Sequence, residues 1–150
     1  MKIKLIAILF FFTFLSNSAF SQKKITWQNV VEIYAKEFRL TEKNPTSTIN
    51  KTTMSLEDIV NKKVKIVGYF LDLDPDGKWF ILSKNPFATC FFCGKAGPET
   101  ILELLGFKNP KKKFKSDDMV EVTGEFNTIY DLEDKVSFVL ENVSIKLVNK

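Results

Sequence analysis

The sequence has no histidine and a single arginine, Arg39, among its 150 residues. Without histidine, neither a Ser-His-Asp triad nor a Cys-His pair can form. One guanidinium group leaves almost no donor for bidentate recognition of phosphate, and all other basic side chains are lysine. The chain also lacks a glycine-rich phosphate loop. These absences argue against nucleic acid as a partner and favour a protein that is not an enzyme.

The only long apolar run stands at the N-terminus. Two lysines precede an apolar stretch over residues 5–15, and Ala19-Phe20-Ser21 matches the small-x-small pattern of a cleavage site. This arrangement is typical of a secretory signal peptide. The run is shorter than the roughly 20 residues that a membrane-spanning helix needs, and no cysteine stands at the cleavage point to carry a lipid. We therefore predict cleavage near Ser21/Gln22 and a periplasmic or secreted protein without a membrane span.

Alternation of apolar and polar residues predicts four strands in the rest of the chain. The strands cover residues 63–73, 78–83, 119–128 and 136–148. Asp74-Pro75-Asp76-Gly77 suits a turn that joins the first two strands into a hairpin, and residues 131–134 suit the turn between the last two. Gly124 marks a bend or bulge in the third strand, and Glu141-Asn142 marks another in the fourth.

Helical segments complete the pattern. Pro98, Glu99 and the leucines before Gly106 predict a helix of about two turns over residues 98–105. Apolar positions at helical spacing predict a short helix over residues 27–38, with a strand that starts at Ile25 as the alternative. Ser55 and the acidic residues after it predict a capped helical turn that leads into the first strand. The polar residues 41–53 are predicted to form a loop.

The predicted order of strand, strand, helix, strand, strand is typical of a mainly β fold, a small OB-like antiparallel barrel with one short helix between strands. An SH3-like barrel is the alternative. We predict a signal peptide at residues 1–21, an N-terminal extension at 22–54 and the OB-like barrel domain at 55–150. The fold suggests binding of oligonucleotides or oligosaccharides only by analogy, and export together with the scarcity of arginine disfavours nucleic acid.

The two cysteines lie three positions apart in one short loop. The chain runs Asn85-Pro86-Phe87-Ala88-Thr89-Cys90-Phe91-Phe92-Cys93-Gly94 and continues to Gly97-Pro98-Glu99. With the sequences around Gly68 and Trp79, this loop resembles an uncharacterised family of small exported Bacteroidetes proteins over residues 60–145. In a wider set of similar periplasmic domains a histidine accompanies the cysteine, and an association with metal transport has been proposed. The resemblance implies Cys90, Cys93 and Glu99 as the matching positions, without the histidine.

Three hypotheses for the cysteines remain open. In an oxidising compartment, a Cys90–Cys93 disulfide would clip the loop as a structural or ligand-binding element of a noncatalytic domain. Alternatively, both sulfurs would bind zinc or monovalent copper in an accessory protein, with Glu99, another carboxylate, water or a second chain completing the site. Finally, a thiol-disulfide exchange factor would use a thiolate stabilised by Lys95 and by the N-terminus of the predicted helix.

Aromatic residues cluster near the cysteines. The candidate ligand contacts are Trp79, Phe87, Phe91 and Phe92, which together with Phe80 would form a stacking platform for a sugar. The alternative is that these rings belong to the core. The partner is accordingly predicted to be a small ligand or another protein of the cell envelope.

Two charged segments have simpler interpretations. Asp72, Asp74 and Asp76 alternate as in a calcium loop, but the pattern is incomplete, and we predict a solvated turn. Five lysines between residues 108 and 115 predict an exposed loop. A weak attraction of these lysines to an anionic polymer or to lipid headgroups is the alternative.

Overall fold

The structure, a computed structural model, describes residues 22–38, 54–74, 76–89, 97–130 and 136–148. The elements are β1 (Lys23–Lys24), α1 (Trp27–Phe38), β2 (Lys62–Asp72), β3 (Phe80–Ser83), β4 (Ile101–Leu104), β5 (Asp118–Tyr130) and β6 (Val136–Leu147). Among the described residues, no helix combines the length and the apolar content needed to cross a bilayer. The predicted signal peptide at 1–21, the predicted loop at 41–53 and the predicted turn at 131–134 lie outside these ranges.

Five of the strands form a closed barrel. Neighbouring strands follow the order β2-β3-β4-β6-β5, and β2 also pairs with β5, which closes the sheet. The β2–β3 and β5–β6 pairs are antiparallel, and β4 runs parallel to β6. β1 adds a short parallel pairing to β2. This architecture confirms the prediction of a mainly β, small OB-like barrel.

The barrel interior is filled by the inward side chains of every long strand. In β2, the alternation of Val64, Ile66 and Phe70 directs apolar groups inward, and these residues are at most 2% exposed. Phe70 stacks on Phe80 with ring centroids 5.4 Å apart, and Phe126 packs 5.0 Å from Phe138. Such aromatic pairs stabilise by about 0.5–1.5 kcal/mol beyond the burial of their area.

The turn and bulge predictions hold within the described residues. Gly77 donates its N–H to the Asp74 carbonyl over 2.8 Å and has φ of 66°, a left-handed conformation that glycine adopts without strain. The β5–β6 register shifts between Thr123 and Glu125, opposite Asn142, whose φ is 51°. The capped turn is also present, as a 3-10 turn at Leu56–Asp58.

The predicted N-terminal helix is present as α1 and covers one end of the barrel. Thr26 begins it, because Thr26 N–H donates to Asn29 Oδ1 over 2.9 Å and Thr26 Oγ1 accepts from Asn29 N–H over 3.3 Å. Val30 and Ile33 have no exposed area and belong to the same core cluster as the strands. At its other end, Tyr34 and Phe38 pack against Phe138. The segment predicted to be an extension thus contributes to the barrel core.

The helix predicted over residues 98–105 is wrong. Pro98–Thr100 forms a single 3-10 turn, and residues 101–104 form β4. Leu102 and Leu104 point into the core, while Ile101 and Glu103 lie on the outer face. By periodicity alone, a helix and a strand fit equally well the spacing of the four apolar residues in this segment, which are Ile101, Leu102, Leu104 and Leu105. Pairing with β3 on one side and β6 on the other selects the strand.

The lysine-rich segment covers the opposite end of the barrel, where β2 ends and β5 begins. Its lysines are exposed, as predicted. Phe114, by contrast, is only 5% exposed and packs with Phe107 against Phe70. The packed rings of Phe107 and Phe114 therefore close this end of the barrel.

Candidate functional site

Cys90, Cys93, Phe91 and Phe92 lie outside the described residues, but both ends of their loop are described. The loop joins β3 to β4, which are antiparallel neighbours. Ser83 pairs with Ile101 in the last position of this ladder, and Lys84 N–H donates to the Thr100 carbonyl over 2.9 Å. The loop that carries the cysteines is therefore held on a hydrogen-bonded stem.

The stem has a second anchor on the β3 side. Phe87 N–H donates to Asp117 Oδ1 over 2.7 Å, and Thr89 N–H donates to the Pro86 carbonyl over 2.9 Å in a 3-10 turn. Asp117 stands immediately before β5 and donates its own N–H to the Phe70 carbonyl. These bonds fix the chain to the barrel wall up to the residue before Cys90.

On the β4 side, Gly97-Pro98-Glu99 forms a compact turn with a buried carboxylate. Thr100 donates both its N–H, over 3.0 Å, and its hydroxyl, over 2.7 Å, to the Gly97 carbonyl. Glu99 is only 9% exposed and folds back on Gly97, so that a methyl group added at Gly97 would lie 2.5 Å from Glu99 Oε1. The Glu99 carboxylate thus occupies the space that a side chain at position 97 would fill, and a larger residue there would displace it.

This turn removes one argument for thiol chemistry. The hypothesis of an exchange factor relied on a helix N-terminus at Pro98 to stabilise a thiolate. Three residues of 3-10 turn, followed directly by a strand, do not supply the aligned peptide dipoles of a helix. The exchange-factor hypothesis thus loses the helix N-terminus, while Lys95, its other support, lies outside the described residues.

A groove lies on the outer face of β3 and β4, with a volume of about 170 Å³. Its walls are Ile81 from β3 with Trp79 just before that strand, Ile101 and Glu103 from β4, and Ser137 and Phe138 from β6. Pro98, in the turn that follows the cysteine loop, completes the lining. The groove and the cysteine loop are thus adjacent along the chain.

The groove has an apolar floor and one charged group. Ile81 is 1% exposed although it lies on the outer face, because it packs with Leu71, Tyr69 and Ile101 in a second apolar cluster outside the barrel. Glu103 is the one ionisable side chain among the described lining residues. These residues therefore offer aromatic and apolar surface with a single negative charge, and no cation for an anionic ligand.

The structure separates the predicted aromatic platform into distinct roles. Trp79 is 42% exposed and lines the groove, whereas Phe80 is a core residue with 2% exposure. Phe87 is 47% exposed on the stem and is not part of the groove lining. The platform prediction thus applies, among the described rings, to Trp79.

The described residues contain no group of three or more histidine, cysteine, aspartate or glutamate side chains that would hold a metal ion. Asp74 Oδ1 accepts the N–H of Asp76 over 3.0 Å, so this carboxylate caps its own turn. Since the cysteines lie outside the described ranges, the predicted set of Cys90, Cys93 and Glu99 stays a prediction.

Sequence reasoning missed the groove residues Ile81, Pro98, Ile101 and Glu103. Ile101 and Glu103 were assigned to a helix, where they would not share a face with Ile81. The available signal was the alternation of Ile101 and Glu103 with Leu102 and Leu104, which fits a strand with one face toward the core and the other face outside.

No family model, curated protein or solved structure matches this chain, so the resemblance to exported Bacteroidetes proteins stays a prediction.

Proposed function

We propose that this chain is an exported, noncatalytic binding domain that holds a small neutral ligand in the groove on the outer face of β3 and β4. The observation that carries the proposal is the groove itself, with exposed Trp79 at one end and Pro98, next to the cysteine loop, in its lining. In OB-like barrels the corresponding pair of strands forms the ligand face. That comparison rests on the fold alone, so the class of ligand has to be inferred from the residues that line the groove.

The lining chemistry favours a hydroxylated ring such as a sugar. An indole ring presents a flat apolar face for stacking, and the Glu103 carboxylate accepts hydrogen bonds from hydroxyl groups. An anionic ligand is disfavoured because Glu103 would repel it and none of the described lining residues is basic. The volume of about 170 Å³ accommodates one ring rather than a long polymer segment.

The groove proposal is tested by titrating the mature protein with neutral monosaccharides and disaccharides while the backbone amide signals of Ile81 and Ile101 are followed by NMR. We expect saturable shifts that disappear in Trp79→Ala and weaken in Glu103→Gln. Phe87→Ala is the matched control, because it removes an exposed aromatic ring outside the groove. The absence of any saturable shift, or an equal loss in Phe87→Ala, contradicts the proposal.

We further propose that a Cys90–Cys93 disulfide clips the loop next to the groove. The described stem supports this role, because it holds both ends of the loop at fixed positions on the barrel. For so short a loop, the chain-entropy model gives about 2 kcal/mol of stabilisation. The proposal predicts no free thiol in protein purified from the periplasm, and a lower melting temperature for Cys90→Ser, Cys93→Ser and the double variant alike.

Intact mass with and without alkylation checks the disulfide and the cleavage near Ser21/Gln22 in the same sample. Two alkylated thiols in native protein reject the disulfide, and retention of residues 1–21 rejects export with cleavage. The three variants must also match in stability, since removal of either sulfur opens the same bond. A single variant that is destabilised alone indicates packing rather than a disulfide.

A second candidate function is binding of zinc or copper, and the position of Glu99 favours it. Its carboxylate is buried within three residues of the loop end and lies against Gly97. Elemental analysis of protein made without added metal would then find one zinc or copper per chain. Glu99→Gln would lose the metal and the matched Glu103→Gln would keep it. Folded protein that takes up neither ion from solution rejects this function.

A further inference from the structure

The second half of β6 has one unpaired edge. On one side, β6 pairs with β5 over its whole length. On the other side, β4 pairs only with Val139 and Leu140, and Leu105 N–H, just after β4, donates to the Leu140 carbonyl over 2.9 Å. None of the described strands pairs with β6 on this side beyond Leu140. Residues 143–147, which follow the bulge at Asn142 and which we call the free edge, therefore form a border of the sheet.

The hydrogen bonds to β5 show which backbone groups of the free edge are unused. Val148 N–H donates to the Met119 carbonyl over 3.0 Å, so Val148 directs its backbone groups toward β5. The register between the two strands continues from there without a shift as far as Ser144. Consecutive residues of an antiparallel strand direct these groups to opposite sides in turn, so Ser144 and Lys146 also bond to β5. The groups that point away from the sheet belong to Val143, Ile145 and Leu147.

These outward N–H and C=O groups are available to a partner. Outside the β5–β6 ladder, no hydrogen bond is found for them in the described part of the chain. Apolar surface lies beside them, since Leu147 is 48% exposed and Val148 is 40% exposed. Val143 and Ile145 pack against the barrel core, which holds the edge in place. A fixed row of unpaired backbone groups next to apolar side chains is a template for pairing with another strand.

The free edge is complementary to itself. When two copies pair antiparallel around Ile145, Val143 of each copy lies opposite Leu147 of the other, and Ser144 lies opposite Lys146. All outward groups then occupy hydrogen-bonded positions, in three residue pairs with two bonds each, or about six bonds. The exposed Leu147 side chain packs on Val143 of the second copy, which removes apolar surface from water.

Charge selects this register among the alternatives. Lys146 is the one ionisable side chain of residues 143–147, and lysine on an edge strand ordinarily opposes pairing. Pairing around Lys146 would place two ammonium groups directly opposite each other, which is destabilising. Pairing around Ser144 would bring the bulged Asn142 into the contact. Pairing around Ile145 avoids both, and it gives Lys146 a serine hydroxyl as hydrogen-bond acceptor.

We propose that two copies of this chain associate through their free edges, antiparallel around a two-fold axis at Ile145. The partner that the edge fits is thus a second copy of the same strand. A two-fold contact of this kind closes on itself, so it produces a dimer and not a fibre. The free edge shares no described residue with the groove on β3 and β4, so the dimer is independent of the proposed ligand.

The test combines sedimentation equilibrium of the mature protein with amide hydrogen exchange followed by NMR. We expect the mean mass to rise from one chain toward two between roughly 5 and 500 μM, because one strand edge buries less than the roughly 1,200 Å² of a stable interface. Over the same range, the amides of Val143, Ile145 and Leu147 should become protected. Those of Ser144 and Lys146 should be protected at every concentration, since they bond to β5. This alternation distinguishes edge pairing from other modes of association.

A pair of variants isolates the contribution of the backbone. Leu147→Pro removes an outward N–H and leaves the bonds to β5 intact, because proline is tolerated at edge positions whose N–H faces solvent. The dimer then loses about two of its six bonds. Leu147→Ala is the matched control, since it removes the same side chain and keeps the N–H. We expect dimerisation of Leu147→Pro to be about tenfold weaker than that of Leu147→Ala.

Several results would overturn the proposal. They are a protein that stays monomeric up to roughly 1 mM, a dimer whose outward amides exchange as fast as in the monomer, and equal dimerisation of the two Leu147 variants. Protection of these amides in a monomer only after an extended peptide is added would assign the edge to a foreign strand and reject the second copy. The exchange pattern is measured on wild-type protein, so the test stays decisive even where a variant folds poorly.

Discussion

Replacement of Gly68 by alanine tests whether α1 and the barrel form one packed unit. Gly68 lies in β2 under the indole of Trp27, whose Nε1–H donates to the Val67 carbonyl over 2.8 Å. A methyl group at Gly68 would lie 2.7 Å from the Ser83 carbonyl oxygen and 3.0 Å from Trp27 Cζ2. The Ser83 backbone is held in the sheet by its pairing with Tyr69, so it cannot retreat freely.

The expected magnitude follows from two opposing effects. Overpacking of a well-filled core costs about 1–3 kcal/mol. Alanine offsets part of this cost, about 0.4–1 kcal/mol, because it has less conformational freedom than glycine in the unfolded chain. We therefore expect Gly68→Ala to lower the free energy of unfolding by about 1–2 kcal/mol and the melting temperature by roughly 3–10 °C.

Urea and thermal unfolding, followed by circular dichroism, measure the change. Repeating the substitution in a Trp27→Ala background isolates the indole contact, since only the contacts with Ser83 and with Leu82 Cγ, at 3.1 Å, remain there. The penalty should then fall by at least about 0.5 kcal/mol, a coupling typical of residues in contact. A wild-type or higher stability of Gly68→Ala, or an identical penalty in both backgrounds, would refute the packing of α1 on β2.

Three further predictions concern stability. Phe138→Ala should cost about 3–5 kcal/mol in urea unfolding, because Phe138 is 3% exposed between Phe126 and α1; a cost below about 1 kcal/mol would contradict the described core. The backbone N–H and then the hydroxyl of Ser55 hold the pKa of Asp58 below its ordinary value of 3.8. A lowered pKa stabilises the fold above the unfolded-state value, and this contribution is lost as the pH falls through the folded pKa. Asp58→Asn should therefore flatten the fall in stability below pH 3.8, and an unchanged acid limb speaks against the Ser55 contact. Lys111→Gly should raise stability by about 0.5–1 kcal/mol, because glycine adopts the left-handed φ at this position without strain; a loss of stability would show that the strain is absent.

Much of the fold could be predicted because its signals are local. The β2–β3 hairpin follows from the alternation in each strand and from a turn sequence whose Gly77 bonds back to Asp74. The helix α1 follows from the helical spacing of Trp27, Val30 and Tyr34, and the bonds between Thr26 and Asn29 decide against the alternative strand. In each case the residues that contact each other are also close in the sequence, so the spacing of residue types is enough to predict the contact.

The candidate site was harder to predict because its parts are distant in sequence. Trp79 and the cysteine loop could be singled out by residue type alone. The groove requires Ile81 and Glu103 to face each other across β3 and β4, and Val139 to pair with Glu103 from β6. Similarly, Asp72 at the end of β2 donates its N–H to Ser116 Oγ, 44 positions later in the chain. No periodicity in one segment reveals such partners.

The sequence by itself determined the four strands β2, β3, β5 and β6, the turn between β2 and β3 and the aromatic, apolar composition of the core, since short-range periodicity and turn residues encode them. Only the tertiary structure decided that residues 101–104 form a strand. The reason is physical: a segment of four residues, three of them apolar, does not by its own spacing choose between helix and strand, and here β3 and β6 supply the hydrogen-bond partners of a strand. That same choice placed Ile101 and Glu103 on the outer face and so created the groove.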